Sequence, residues 1–152
     1  MTGTYENCTF DGQYTLYGAS IFTDCEFNIA GDKYNVWTWG APTATFNSCT
    51  FNCDGKAMLL YGRVNTKLTL DDCVFNDNGD DTISGKAAVE IGDDYLTSYE
   101  LIINNVEVNG FSKTTQKNPN RGGTDLGTEV WGNKNLMTTE NLNVVVDGED
   151  VY

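Results

Sequence analysis

A short phrase of polar and apolar positions returns along this chain: a polar residue, a small apolar one, an outward residue, a large apolar one, then Asn or Asp. Glu6-Asn7-Cys8-Thr9-Phe10-Asp11, Thr23-Asp24-Cys25-Glu26-Phe27-Asn28, Ser48-Cys49-Thr50-Phe51-Asn52 and Asp71-Asp72-Cys73-Val74-Phe75-Asn76 carry it. Asn104-Asn105-Val106-Glu107-Val108-Asn109 is a worn copy. The cysteines of the phrase lie 17, 24 and 24 residues apart, and Val106 takes the place 33 later. A second phrase interleaves with the first and ends on Gly: Tyr14-Thr15-Leu16-Tyr17-Gly18, Val36-Trp37-Thr38-Trp39-Gly40, Met58-Leu59-Leu60-Tyr61-Gly62 and Ala88-Val89-Glu90-Ile91-Gly92. Glu129-Val130-Trp131-Gly132 is a fifth member in a register loose by one residue. Between the two lie Ile21-Phe22, Ala44-Thr45-Phe46, Leu68-Thr69-Leu70, Leu101-Ile102-Ile103 and Val144-Val145-Val146. Short alternation of this kind reads as β-strand, and no stretch sustains the 3.6-residue apolar period of a helix.

Each repeat therefore reads strand, Gly turn, strand, polar bend, strand, Asn turn. The step from Phe46 to Cys49, or from Leu70 to Cys73, breaks alternation by one residue. A sharp bend at Asp24, Ser48, Asp72 and Asn105 keeps Phe46, Cys49 and Phe51 on the inside. A fixed period of roughly 22–24 residues is the mark of a solenoid. The prediction is an all-β chain, a single-stranded right-handed parallel β-helix of about six coils with three short strands per coil. Successive coils would lie about 4.8 Å apart, stacking the thiols in one internal column and Phe10, Phe27, Phe51 and Phe75 in another. Asp11, Asn28, Asn52, Asn76 and Asn109 would form a ladder whose side chains bond backbone groups of adjacent coils. Residues 1–152 make one domain, read as a piece of a longer surface or secreted protein because no capping segment precedes the first repeat.

The Cys-x-Phe phrases followed by Asn or Asp, with the interleaved strand-Gly phrases, resemble the right-handed β-helix repeats of the pectate-lyase-like superfamily from about Thr4 to Val146. The resemblance implies the architecture. It leaves the activity open, because that superfamily contains lyases, hydrolases, phage spikes and adhesins. Its enzymes carry more coils and project catalytic or Ca²⁺-binding carboxylates with a basic partner from one sheet. No motif here matches closely enough to transfer a catalytic role.

Composition narrows the function classes. The 152 residues carry a net charge of −13, which opposes nucleic acid and anionic membrane surfaces. No apolar run is long enough for membrane insertion as a helix. The absence of His removes the usual neutral-pH general base and the commonest metal ligand, so Ser-His-Asp and Cys-His chemistry are excluded.

The candidate sites each have a plain alternative. Cys8, Cys25, Cys49 and Cys73 read as small buried apolar residues, their spacing a little wide for disulfides. Cys53, after the turn Asn, reads as the exposed and most reactive thiol. Asp80 and Asp81, with Asp93 and Asp94, could hold Ca²⁺, although the runs lack known calcium-loop spacings and read first as solvated turn carboxylates. Glu90 interrupts an apolar strand and is the best single catalytic candidate, with Glu129 as a stacked counterpart and Arg63, Lys56 or Lys67 as the charge for a uronate. Tyr17, Trp39 and Tyr61 form a column at spacings of 22, with Trp37 and Trp131 nearby. Facing outward they would make a ligand-binding strip for sugar rings. Facing inward they are core, and taking Thr38 and Glu90 as outward favours core. Ice binding is rejected, because the outward residues Thr9, Glu26, Thr50, Val74 and Glu107 are irregular and charged.

The expectation is a non-catalytic module of an extracellular or cell-surface protein: scaffold, adhesin or glycan-contacting segment. Open coil edges would permit end-to-end self-association. The alternative is a small polysaccharide-degrading enzyme, a lyase or glycoside hydrolase.

Overall fold

The computed structural model describes residues 1–31, 33–54, 56–78, 87–92, 97–110, 124–125, 131–132 and 141–151. Among them there is no helix. The strands are β1 (Gly3–Glu6), β2 (Thr9–Asp11), β3 (Tyr14–Thr15), β4 (Ser20–Thr23), β5 (Glu26–Ile29) and β6 (Val36–Trp37). They continue as β7 (Thr43–Asn47), β8 (Thr50–Cys53), β9 (Lys56–Leu60), β10 (Thr66–Asp71), β11 (Val74–Asp77) and β12 (Ala87–Ile91). The last are β13 (Tyr99–Asn104), β14 (Glu107–Asn109), β15 (Thr124–Asp125), β16 (Trp131–Gly132), β17 (Leu142–Val146) and β18 (Glu149–Asp150).

These strands form three sheets, which the chain visits in rotation. The first runs β1-β4-β7-β10-β13-β17-β18, the second β2-β5-β8-β11-β14 and the third β3-β6-β9-β12-β16-β15. Every pairing is parallel except β17 with β18 and β15 with β16. The protein is therefore all-β with mostly parallel sheets. Among the described residues no helix is long and apolar enough to cross a membrane.

The bends expected between the first and second sheets carry a definite backbone signature. Asp24, Ser48, Asp72 and Asn105 have φ of 51°, 51°, 52° and 47°, and Asn7 and Asp147 add 53° and 48°. Short polar side chains tolerate this left-handed region best, which explains why Asn, Asp and Ser hold these places.

Register then sets the core. Phe10, Phe27, Phe51 and Phe75 are partners on consecutive strands of the second sheet. Their rings stack at 4.9, 4.9 and 4.6 Å with interplanar angles of 15°, 10° and 6°. Tyr5, Phe22 and Phe46 make a second stack on the first sheet at 5.0 and 4.8 Å. The two stacks meet edge to face, as at Phe46 and Phe51, 5.4 Å apart. Leu68, Leu70, Met58, Leu60, Val89 and Ile91 complete the buried interior.

The Asn ladder differs from expectation in its partners. Its amides bond each other: Asn28 Nδ2 donates to Asp11 Oδ1 at 3.1 Å, Asn52 to Asn28 at 2.8 Å, Asn76 to Asn52 at 3.0 Å and Asn109 to Asn76 at 3.0 Å. These residues sit on the outer face of the second sheet, two along from the outward residue of each phrase. Their backbone groups are consumed by the strand pairing, leaving one side-chain oxygen and one amide per rung for each other.

Candidate functional site

The third sheet carries the sequence-derived candidates. Val36 pairs with Tyr14 and Met58, and Met58 with Val89; Val36, Met58 and Val89 are fully buried. Alternation puts the next residue of each strand on the opposite, outer face. Register there joins Thr15 to Trp37, Trp37 to Leu59, Leu59 to Glu90 and Glu90 to Trp131. Glu90 is thus outward, as expected.

Trp37 is outward too, which corrects the core assignment. Thr38, taken as outward, is fully buried. Its Oγ1 donates to Leu59 O at 3.5 Å and accepts from the Tyr61 N–H at 3.3 Å. The strand here is only two residues long and turns at once, so counting faces back from Gly40 misplaces them by one. A hydroxyl can occupy the interior because backbone groups of the next strand satisfy it.

Trp37 and Trp39 are half-buried and meet at 4.9 Å and 67°. Trp39 and Tyr61 lie 6.0 Å apart. Trp37 Nε1 donates to Tyr61 O at 2.8 Å, which fixes the indole against the following strand. Arg63 sits with its Cζ 5.2 Å from the centre of the Trp39 ring, a cation–π distance. Tyr17 is 66% exposed, the most open large hydrophobic side chain among the described residues. The glycines that close these strands allow the aromatics to lie close. A Cβ on Gly62 would come within 2.1 Å of Trp39 O, and one on Gly92 within 2.2 Å of the Tyr61 ring.

Glu90 is only 6% exposed. The Tyr34 hydroxyl donates to its Oε2. Tyr34 lies in the link between β5 and β6, and sequence reading missed it because nothing in a repeat pattern points to a linker residue. Asn35 beside it is fully buried, and among the described residues its Oδ1 and Nδ2 have no hydrogen-bond partner. Arg63 is four residues beyond Leu59, the partner of Glu90, and lies over the Trp39 ring; among the described residues it makes no ion pair with Glu90. Lys67 is on the first sheet, where it bridges to Glu100 at 3.3 Å. The backbone of Trp131 takes the place beside Glu90. Glu129, Asp80, Asp81, Asp93 and Asp94 lie outside the described residues. Among the described residues no three His, Cys, Asp or Glu side chains gather to hold a metal ion.

The thiols form the expected file, with Cys25, Cys49 and Cys73 buried and Cys8 half-buried. Each donates to the carbonyl two residues before it, at 3.2 to 3.4 Å. The neighbouring Cys73 thiol and burial together push the Cys49 thiol above its ordinary value, and the same neighbour lowers Cys73. Burial raises Cys25. Cys53 is not the exposed thiol expected. It is fully buried, because β8 runs on through it and alternation puts it on the face of Phe51.

No protein-family model, curated protein or solved structure matches the chain.

Proposed function

We propose that the three sheets are the walls of a right-handed parallel β-helix of about six coils, related in architecture to the pectate-lyase-like superfamily. The rotation of the chain through three parallel ladders and the recurring left-handed bends support this reading. On it we place a non-catalytic module of an extracellular or cell-surface protein that contacts glycans through Tyr17, Trp37, Trp39 and Tyr61, with Trp131, in register beside Glu90 and three strands on from Trp37, as a further candidate. The observation that carries the proposal is the half-exposed Trp37–Trp39–Tyr61 cluster with a guanidinium over Trp39. Aromatic faces stack on the C–H faces of sugars, and an Arg beside them supplies directional donors for ring oxygens or acidic substituents. Among the described residues β1 and β2 are each paired on one side only, which supports end-to-end association as a secondary property.

The second reading, a polysaccharide-degrading enzyme, is favoured by one observation: Glu90 is a nearly buried carboxylate with a phenol donating to it. Such a group is a candidate acid or base. Ca²⁺ enters neither reading through a residue described here.

Titration of the protein against a panel of neutral and acidic linear polysaccharides, with and without Ca²⁺, separates the two. Binding without product that is lost in Trp39→Ala supports the module. Product formation abolished by Glu90→Gln replaces it with the enzyme, and silence with every polysaccharide leaves a purely structural role.

A further inference from the structure

Four thiols stand in one file, and one end of that file opens to solvent. Cys8 is half-buried, whereas Cys25, Cys49 and Cys73 are buried. Cys8 and Cys25 are neighbours on adjacent strands: the Glu26 N–H donates to Cys8 O at 2.9 Å, and Thr9 and Glu26 are register partners. Parallel strands lie about 4.8 Å apart, inside the roughly 4.4–6.8 Å of Cα separation that disulfides span. Cys25 Sγ is turned toward the Cys8 side of its strand. It donates to Tyr5 O, three residues before Cys8, at 3.7 Å as well as to Thr23 O at 3.2 Å.

Parallel Cβ atoms at about 4.8 Å exceed the 3.5–4.5 Å that a disulfide prefers, so a bridge requires one rung to yield by a few tenths of an ångström. Interior rungs are held by a strand on either side. Among the described residues β2 is hydrogen-bonded on the β5 side only, so the Cys8 rung has one partner strand against which to yield.

We infer that Cys8 is a thiol–disulfide exchange site for small-molecule disulfides, with Cys25 as its resolving thiol. In the first step the Cys8 thiolate attacks a disulfide RSSR, forming Cys8–S–S–R and releasing RS⁻. In the second the Cys25 thiolate attacks the Cys8 sulfur, forming the Cys8–Cys25 bridge and releasing a second RS⁻. Two protein thiols lose their protons and two electrons, and RSSR is reduced to two RSH. Burial keeps Cys25 protonated above the ordinary thiol range, so the second step is slower and the mixed disulfide precedes the bridge. The product closes a loop over a 17-residue spacing and clasps β2 to β5.

The test is incubation of the reduced, folded protein with oxidised glutathione at mildly alkaline pH, followed by peptide mapping without reduction. The expected end product is a Cys8–Cys25 cross-link, preceded by glutathione on Cys8, with Cys49, Cys53 and Cys73 unmodified. Cys25→Ser stops at the mixed disulfide, Cys8→Ser takes up no glutathione, and the bridged protein melts at a higher temperature than the reduced one. A mixed disulfide on Cys8 as the lasting product, a bridge between Cys8 residues of two chains, first reaction at another thiol, or no reaction overturns the inference. The wild-type map alone decides among these, so the result stands even where a variant fails to fold.

Discussion

Removing one ring from the middle of the aromatic file tests the core most directly. Phe51 is fully buried, stacked on Phe27 at 4.9 Å and on Phe75 at 4.6 Å, with Phe46 edge-on at 5.4 Å. Phe→Ala in a core costs about 3–5 kcal/mol, and aromatic pairs add roughly 0.5–1.5 kcal/mol each beyond area. The gap at Phe51 cannot close, because hydrogen-bonded strands on both sides hold Phe27 and Phe75 apart. The upper part of the range, about 5 kcal/mol, therefore applies to Phe51→Ala. Phe10→Ala is the control. Phe10 stacks face to face on Phe27 alone, with Tyr5, Tyr14 and Phe22 edge-on at 5.3 to 5.6 Å, but it retains 8% exposure, so water can enter the gap and the lower part of the range, about 3 kcal/mol, applies. Urea unfolding followed by tryptophan fluorescence reads both, with midpoints compared at equal slope. Native stabilities of about 5–15 kcal/mol leave room for the Phe51 loss to be measured or to unfold the protein outright. Equal costs for the two variants, or a cost below about 2 kcal/mol at Phe51, would refute the reasoning from a continuous stack.

Three further outcomes follow from the geometry. Asn52→Asp removes the amide that donates to Asn28 at 2.8 Å and Glu26 at 3.2 Å and sets a carboxylate against both oxygens. A loss of about 2 kcal/mol at pH 7 is expected; because the repulsion raises the folded pKa of the introduced acid, the loss shrinks as pH falls below it, which unfolding at pH 7 and pH 4 would show. Gly62→Ala drives a methyl to 2.1 Å from the Trp39 carbonyl oxygen, and Gly92→Ala drives one to 2.2 Å from the Tyr61 ring and 2.6 Å from Tyr61 Cβ, which turning the ring does not relieve. Each should cost about 3 kcal/mol or more, with the tryptophan emission shifting in Gly62→Ala; thermal melts of both variants check the costs. Burial raises the Cys25 pKa, so this thiol contributes stability present below its unfolded value of about 8.5 and lost as pH rises through the folded value. Cys25→Ala should therefore cost more at pH 7 than at pH 10 in urea unfolding.

Much of this protein was determined by its sequence alone. The recurring phrases located the strands, the columns of Phe and Cys, and the bends at Asp24, Ser48, Asp72 and Asn105, because alternation and turn chemistry are local properties that each repeat states independently. Three features were decided only by the tertiary structure. The face of Trp37 depended on where a two-residue strand begins, and a buried hydroxyl at Thr38 was admissible only once the next strand supplied partners for it. The fate of Cys53 turned on whether a strand ended at Asn52 or ran one residue on. The pairing of Glu90 with Tyr34 joins residues 56 apart in the chain, one of them in a linker without a repeat. Periodicity tells which residues share a face within a strand of known limits; strand limits, and what a linker covers, are set by contacts between distant segments.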